Sequence, residues 1–377
     1  MNNTIIYLDY NASAPLRPEA RDAVMCAMDC GGAALNASAV HYYGRLGRKI
    51  VEDARRDVAT LMGAHTNQVL FNSGATEGNN TIINHFARAY PEDMILISAV
   101  EHPSILELTQ HYDNIKTIPV DENGLVRADI LEDMLKAHKT SLVSCLYAHN
   151  ETGAIQDVSL LCEISHKNGA FFHSDATQAA GRIPLNIQND NIDFLTISSH
   201  KIGGPQGVGA LILGQCGQTP TLLHGGGQEK SARAGTENIA GIAGFGAAAK
   251  QALADRDLYA RLCVLRDKIE AAIKSTAPET VFHAKNAARL GNTTFFSLPK
   301  GNAQSLLMAF DLEGIAISNG SACSSGTVKP STTLNAMGVK PALTKTALRV
   351  SLGWATRESD IDAFIKAWEK IYLRIKA

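Results

Sequence analysis

Gly169-Ala170-Phe171-Phe172-His173-Ser174-Asp175-Ala176-Thr177-Gln178 and Ile192-Asp193-Phe194-Leu195-Thr196-Ile197-Ser198-Ser199-His200-Lys201 decide the reading of this chain. Each is a short apolar run that breaks off into a polar cluster, and the second continues into Ile202-Gly203-Gly204-Pro205. Such runs, bounded by turn residues, read as buried strands of a parallel sheet. In an open α/β sheet, ligands sit just outside the carboxyl ends of the strands. Asp175, Gln178, Ser198, His200 and Lys201 are therefore expected to converge on one crevice. An acid at one strand end and a lysine at the next is what pyridoxal phosphate needs. The lysine takes the aldehyde as a Schiff base and the acid pairs with the pyridinium nitrogen.

Working outward, helix and strand patterns alternate from about Val51 to Leu213. A helical stretch at Gly47 to Met62 precedes strands at Gln68 to Phe71, Met94 to Ser98, Ile115 to Val120 and Leu142 to Tyr147. The two runs above follow, and then Gly207 to Leu213. This alternation predicts a mostly parallel sheet covered on both faces. One long helical stretch, Asn238 to Ser275, closes the region. Strand patterns around Thr293 to Ser297, Ala316 to Ser318 and Ala347 to Leu352, with helices at Ala303 to Leu312 and from Glu358 onward, predict a smaller α+β lobe. The segment through Pro15 is expected to pack with that lobe.

With 377 residues the chain is too long for one growing core, which agrees with two lobes. A formal net charge of −2 gives no electrostatic argument for direct nucleic-acid or membrane binding. No apolar stretch reaches the roughly 18–20 residues of a membrane-spanning helix, and the first residues lack the pattern of a secretory leader. Seven scattered cysteines argue against a disulfide framework and for a reducing, cytoplasmic setting. They also lack the spacing of a metal site: Cys26 and Cys30 have no second pair.

Further motifs fall past other strand ends. Ser73-Gly74-Ala75-Thr76-Glu77 is a small-residue turn into a helix, where amide groups and the helix dipole favour a phosphate. Glu101-His102-Pro103 offers an imidazole for ring stacking and proton transfer. Asn150, in His149-Asn150-Glu151-Thr152-Gly153, can donate to a phenolate or carboxylate. His224-Gly225-Gly226-Gly227 suggests an oxyanion hole, but no Gly-x-Ser-x-Gly elbow accompanies it. It reads instead as a loop leading to Arg233-Ala234-Gly235-Thr236. Gly244-Phe245-Gly246 follows no strand and reads as close helix packing. Ser318 to Ser331 is built of small residues around Cys323, which places a thiol on an exposed loop suited to nucleophilic attack.

As an ordered set these motifs resemble the cysteine desulfurases of the NifS/IscS type, within the class V branch of fold-type I pyridoxal-phosphate enzymes. The resemblance runs from Tyr7-Leu8-Asp9-Tyr10-Asn11 through the motifs above to Gly320-Ser321-Ala322-Cys323 and Leu348-Arg349-Val350. It implies an α/β fold-type I transferase. Residues 16–258 would form a large cofactor-binding domain with a seven-stranded sheet. Residues 1–15 with 259–377 would form a small domain carrying the cysteine loop. It implies catalytic roles for Lys201, His102 and Cys323. Cofactor contacts would come from Gly74, Ala75, Thr76, His102, Asn150, Asp175, Gln178, Ser198, His200 and Lys201, with Thr236 reaching across from a second subunit of a homodimer. Asn11, Asn150 and Arg349 would bind substrate, Arg349 by a bidentate grip on its carboxylate.

The implied reaction takes sulfur from L-cysteine, leaves L-alanine and a persulfide on Cys323, and hands the sulfur to an acceptor protein. Iron–sulfur assembly and nucleic-acid thio-modification both begin with this step, and the sequence leaves open whether Cys323 also serves as a transient iron–sulfur ligand. Selenocysteine lyase or another class V lyase or aminotransferase is the enzymatic alternative. A non-catalytic sulfur carrier is the alternative of another class. Gln206 and His149 depart from the common pattern, without removing a chemical group the reaction needs.

Overall fold

The computed structural model describes residues 5–30, 34–255, 257–320 and 331–376. Seven strands form the main sheet: β2 (Val69–Asn72), β3 (Met94–Ser98), β4 (Ile115–Ile118), β5 (Thr140–Ser144), β6 (Phe171–Asp175), β7 (Phe194–Ser198) and β8 (Gly209–Leu213), in the spatial order β2-β8-β7-β6-β5-β3-β4. All neighbours are parallel except at β8, which runs antiparallel to both β2 and β7. The reason lies in the connection. A parallel return needs a crossover of a dozen or more residues, usually a helix. Only a tight turn and Gly203-Gly204-Pro205-Gln206-Gly207 separate β7 from β8.

Side chains alternate cleanly across this sheet. Phe71, Leu96, Val143, Phe172, Leu195 and Ile212 enter one buried cluster, with residues of helices α1 (Pro18–Asp29) and α2 (Tyr42–Met62) and of the helix Ile239–Ala254. Leu70, Ile95, Leu142, Phe194 and Leu211 enter the other, against helix α3 (Ala75–Ala89). Burial on both faces explains the continuous apolar runs in the sequence. Each fully buried Phe contributes roughly 2–3 kcal/mol of hydrophobic stabilisation.

A second set of elements surrounds a third cluster. Strands β9 (Val281–Phe282), β10 (Thr293–Ser297) and β12 (Leu348–Ser351) make a small antiparallel sheet in the order β12-β10-β9. Phe310 stacks on Phe364 at 5.1 Å and Phe296 meets Trp368 edge-on. The chain start joins this region: β1 (Ile6–Tyr7) pairs in parallel with β11 (Ile315–Ala316), and Asp9 bridges to Ser351.

The expected single helical stretch over Asn238 to Ser275 is interrupted. It forms two helices, Ile239–Ala254 and Leu258–Thr276. Asp255 leaves the helical path at the break and pairs with Arg17 at 2.7 Å.

Candidate active site

The carboxyl ends of β3, β5, β6 and β7 open onto one cavity of about 530 Å³, a size suited to a small-molecule ligand. Twelve expected site residues line it: Asn11, Gly74, Ala75, Thr76, His102, Asn150, Asp175, Gln178, Ser198, His200, Lys201 and Arg349. Thr236 does not. It lines a separate cavity of about 150 Å³, which adjoins the first through Ser73 and Gly207. Cys323 lies outside the described residues.

Strand geometry places the chemistry. Asp175 is the last residue of β6. Its Oδ1 accepts from the Thr177 amide at 2.9 Å and its Oδ2 from Asn79 Nδ2 at 2.7 Å. Lys201 ends the turn that follows β7, and its Nζ donates to the carbonyls of Asn11 at 2.7 Å and Ala12 at 2.8 Å. His102 follows β3. Its Nδ1 accepts from the Ser104 amide and lies 2.8 Å from the Ser104 hydroxyl. That hydroxyl accepts from Asn79, so its own proton is directed to Nδ1. A neutral His102 therefore carries its proton on Nε2. Burial pulls its proton affinity down, and the positive charge of Lys201 acts in the same direction against Asp175.

Asn79 thus uses both amide protons to tie Asp175 to Ser104, and through Ser104 to His102. Sequence reasoning missed Asn79 and Ser104. The available signal was a polar residue on the buried face of α3, between Gly78 and Ile82.

The rim is built from distant chain segments. Asn11 donates through Nδ2 to the Asn150 carbonyl and to Thr293. Arg349, on β12 and only 1% exposed, donates to the same Asn150 carbonyl at 3.0 Å and to Asp9 at 2.6 Å. Glu151 accepts from Ser331 and Thr333, and Thr333 lies 3.1 Å from His149 Nε2. His149 Nδ1 accepts from the backbone of Glu151 and Thr152, and burial pushes its pKa down to about 3.

These residues fit pyridoxal phosphate. Gly74 precedes helix α3 with a φ of +146°, one that L side chains rarely adopt, and no side chain caps the helix's first turn. Its amides, the Thr76 and Ser198 hydroxyls and His200 line the same end of the cavity and would hold the phosphate. Thr177 Oγ1 and Arg349 Nε are buried and without a hydrogen-bond partner, as expected beside a site that a polar ligand fills.

The family model described as aminotransferase class-V matches residues 6–364. Among similar curated proteins, the cysteine desulfurase IscS of Dictyoglomus turgidum is 36% identical over 378 residues, covering 98% of this chain and 95% of that protein. The cysteine desulfurase of Cereibacter sphaeroides is 36% identical, covering 99% of this chain and 97% of that protein. A solved NifS-like protein from Rickettsia africae matches with a TM-score of 0.89 at 39% identity, covering 98% of this chain and 99% of that one. The chain belongs to the class-V aminotransferase family, whose members use pyridoxal phosphate.

Proposed function

We infer that the chain is a pyridoxal-phosphate-dependent cysteine desulfurase, with Lys201 as the amine that holds the cofactor and Cys323 as the thiol that takes the sulfur. The observation that carries this reading is the convergence of Lys201, Asp175, His102 and Arg349 on one cavity, in a chain whose full-length relatives are named cysteine desulfurase. When bound, pyridoxal phosphate supplies an aldehyde that joins amines and a ring that accepts electrons from the α-carbon.

The protein's own residues do the rest. Arg349 grips the substrate carboxylate with a guanidinium already fixed by Asp9 and the Asn150 carbonyl. Asp175, an acceptor from Asn79, holds a proton on the ring nitrogen, and Gln178 and Asn150 donate to oxygens of the bound groups. Lys201 and His102 move protons at the substrate carbons. The Cys323 thiolate bonds to the substrate sulfur as the Cβ–S bond breaks. The carbon fragment takes a proton and departs as L-alanine, and Cys323 keeps the sulfur as a persulfide.

A homodimer, a sulfur-acceptor protein and a cytoplasmic setting belong to the same proposal. Thr236 lines the adjoining cavity and not the one with Lys201, which supports a role toward a second copy. The six described cysteines are all free thiols, and no described helix is long and apolar enough to cross a membrane. The test is product analysis with L-cysteine. Wild type should release equal amounts of alanine and reducible sulfur. Cys323→Ser should release neither while keeping the cofactor's colour. Undiminished alanine formation by that variant would favour the lyase alternative, and a 2-oxo acid product the aminotransferase one.

A further inference from the structure

Arg182 has no role in the chemistry above, yet it is one of the more unusual charges in the molecule. It is 5% exposed, just past the turn that follows Gln178. It donates to Asn11 Oδ1 at 2.7 Å, Gln178 Oε1 at 2.5 Å and the carbonyls of Tyr10 and Lys201, with the Tyr259 phenol as a further neutral partner. Its Nε is buried without a partner. No described carboxylate pairs with it. Other buried guanidiniums do have acids: Arg17 has Asp255, Arg349 has Asp9 and Arg55 has Glu229. A buried charge without a counter-charge is expensive, and burial acts against this one.

The missing counter-charge has an obvious place. Gln178 and Asn11, the two side chains that Arg182 orients, both line the cavity. The Asn11 carbonyl accepts from Lys201 Nζ and from Gln178 Nε2 at 3.0 Å. Arg182 therefore stands directly behind the corner where Lys201, Gln178 and Asn11 meet. The titratable groups that line the cavity with Lys201 are His200 on its own turn, His102 past β3, Asp175 at the end of β6, Glu77 on α3 and Arg349 on β12, and the phenol of Tyr259 lies by Arg182. The carboxylates among them are already engaged: Asn79 and Thr177 hold Asp175, and Glu77 pairs with Arg233 at 2.9 Å. The corner holds positive charge and donors, so it awaits an anionic oxygen.

We propose that Arg182 is the charge-bearing positioning residue of this corner, aiming Gln178 and Asn11 and balancing an anionic ring oxygen of the bound cofactor. This rests on the reading of the site as a pyridoxal-phosphate site. A fixed positive charge beside the Lys201 linkage also disfavours a second proton-borne positive charge there. Replacing Arg182 by a neutral residue should make the linkage hold its proton to higher pH.

The test is a pH titration of the visible absorption band of holoenzyme in wild type, Arg182→Lys, Arg182→Gln and Arg182→Met, with cofactor dissociation measured by dialysis. The two neutral variants should show midpoints about one pH unit above wild type and roughly tenfold weaker cofactor retention. Arg182→Lys should keep the wild-type midpoint. If Arg182 only supports the fold, retention will fall with thermal stability in all three variants while every midpoint stays put, and the proposal fails. Should neither neutral variant fold, Arg182→Lys decides alone: a midpoint displaced by more than about half a unit contradicts a role that depends on charge. Wild-type holoenzyme that shows the visible band and loses it in Lys201→Ala preserves the reading of the site whatever Arg182 does.

Discussion

The two halves of the cavity are built differently. The strand-end half, with Asp175, Lys201 and His102, is fixed by residues placed directly at the ends of neighbouring parallel strands. The rim half, with Asn11, Asn150 and Arg349, is fixed by hydrogen bonds between segments 139 to 340 residues apart in sequence. The backbone positions of the first half are a property of the sheet, although the Lys201 amine is also held by the Asn11 and Ala12 carbonyls. The second exists only when the chain start, the Asn150 turn and β12 have all docked. In the proposed function the cofactor is held by the strand-end half and the substrate carboxylate by the rim half. Damage to each should leave a different signature.

The largest expected effect is at the strand ends. Lys201→Ala should lose the band near about 410 nm and essentially all turnover, by more than about 10³-fold. A coloured, active Lys201→Ala would break the comparison outright. Asp175→Asn should keep a bound chromophore but lose on the order of 10²–10⁴-fold in kcat, because a neutral amide does not hold the ring proton.

On the rim, Arg349→Lys should raise KM for L-cysteine roughly tenfold or more with the visible band unchanged, since an ammonium forfeits the bidentate fork. A change in colour without a change in KM would place Arg349 in the wrong half.

His149 sharpens the contrast through pH. Its folded pKa is pushed down to about 3 by burial, with the charge of Arg349 acting in the same direction. An unfolded histidine takes its proton near about 6.5. Between those values the unfolded chain binds more protons, so folding stability falls as pH falls. The slope from this residue alone is about 1.4 kcal/mol per pH unit. His149→Asn keeps an acceptor for the Glu151 and Thr152 amides and should flatten that acid limb in urea denaturation. An acid limb as steep as wild type would mean that the rim tolerates a charged His149.

Legibility follows the same division. Apolar runs ending in polar residues expose the strands and therefore Asp175, Ser198 and Lys201, because a sheet buried on both faces leaves little else to write there. The reversed β8 was less legible: its direction depends on the missing crossover helix, a feature of the connection and not of the strand. Ser104 and Arg182 were not legible, and Asn79 showed only as a polar residue among the apolar ones of α3. Their roles come from contacts across 25, 96 and 171 residues, and a buried polar residue within a helix or turn looks locally like any surface one. The break at Asp255 was hidden in the continuous helical pattern, and the Arg17 that pairs with Asp255 lies 238 residues away.

The central claim is that the Lys201 cavity prepares the sulfur of cysteine for capture by one particular thiol. The most direct measurement is intact-protein and peptide mass spectrometry after brief exposure of holoenzyme to L-cysteine without reductant. The account predicts a gain of one sulfur atom, confined to the peptide bearing Cys323, reversed by a thiol reductant and absent in Lys201→Ala. Sulfur added at any of the other six cysteines instead, or added equally when Lys201 is gone, would contradict it.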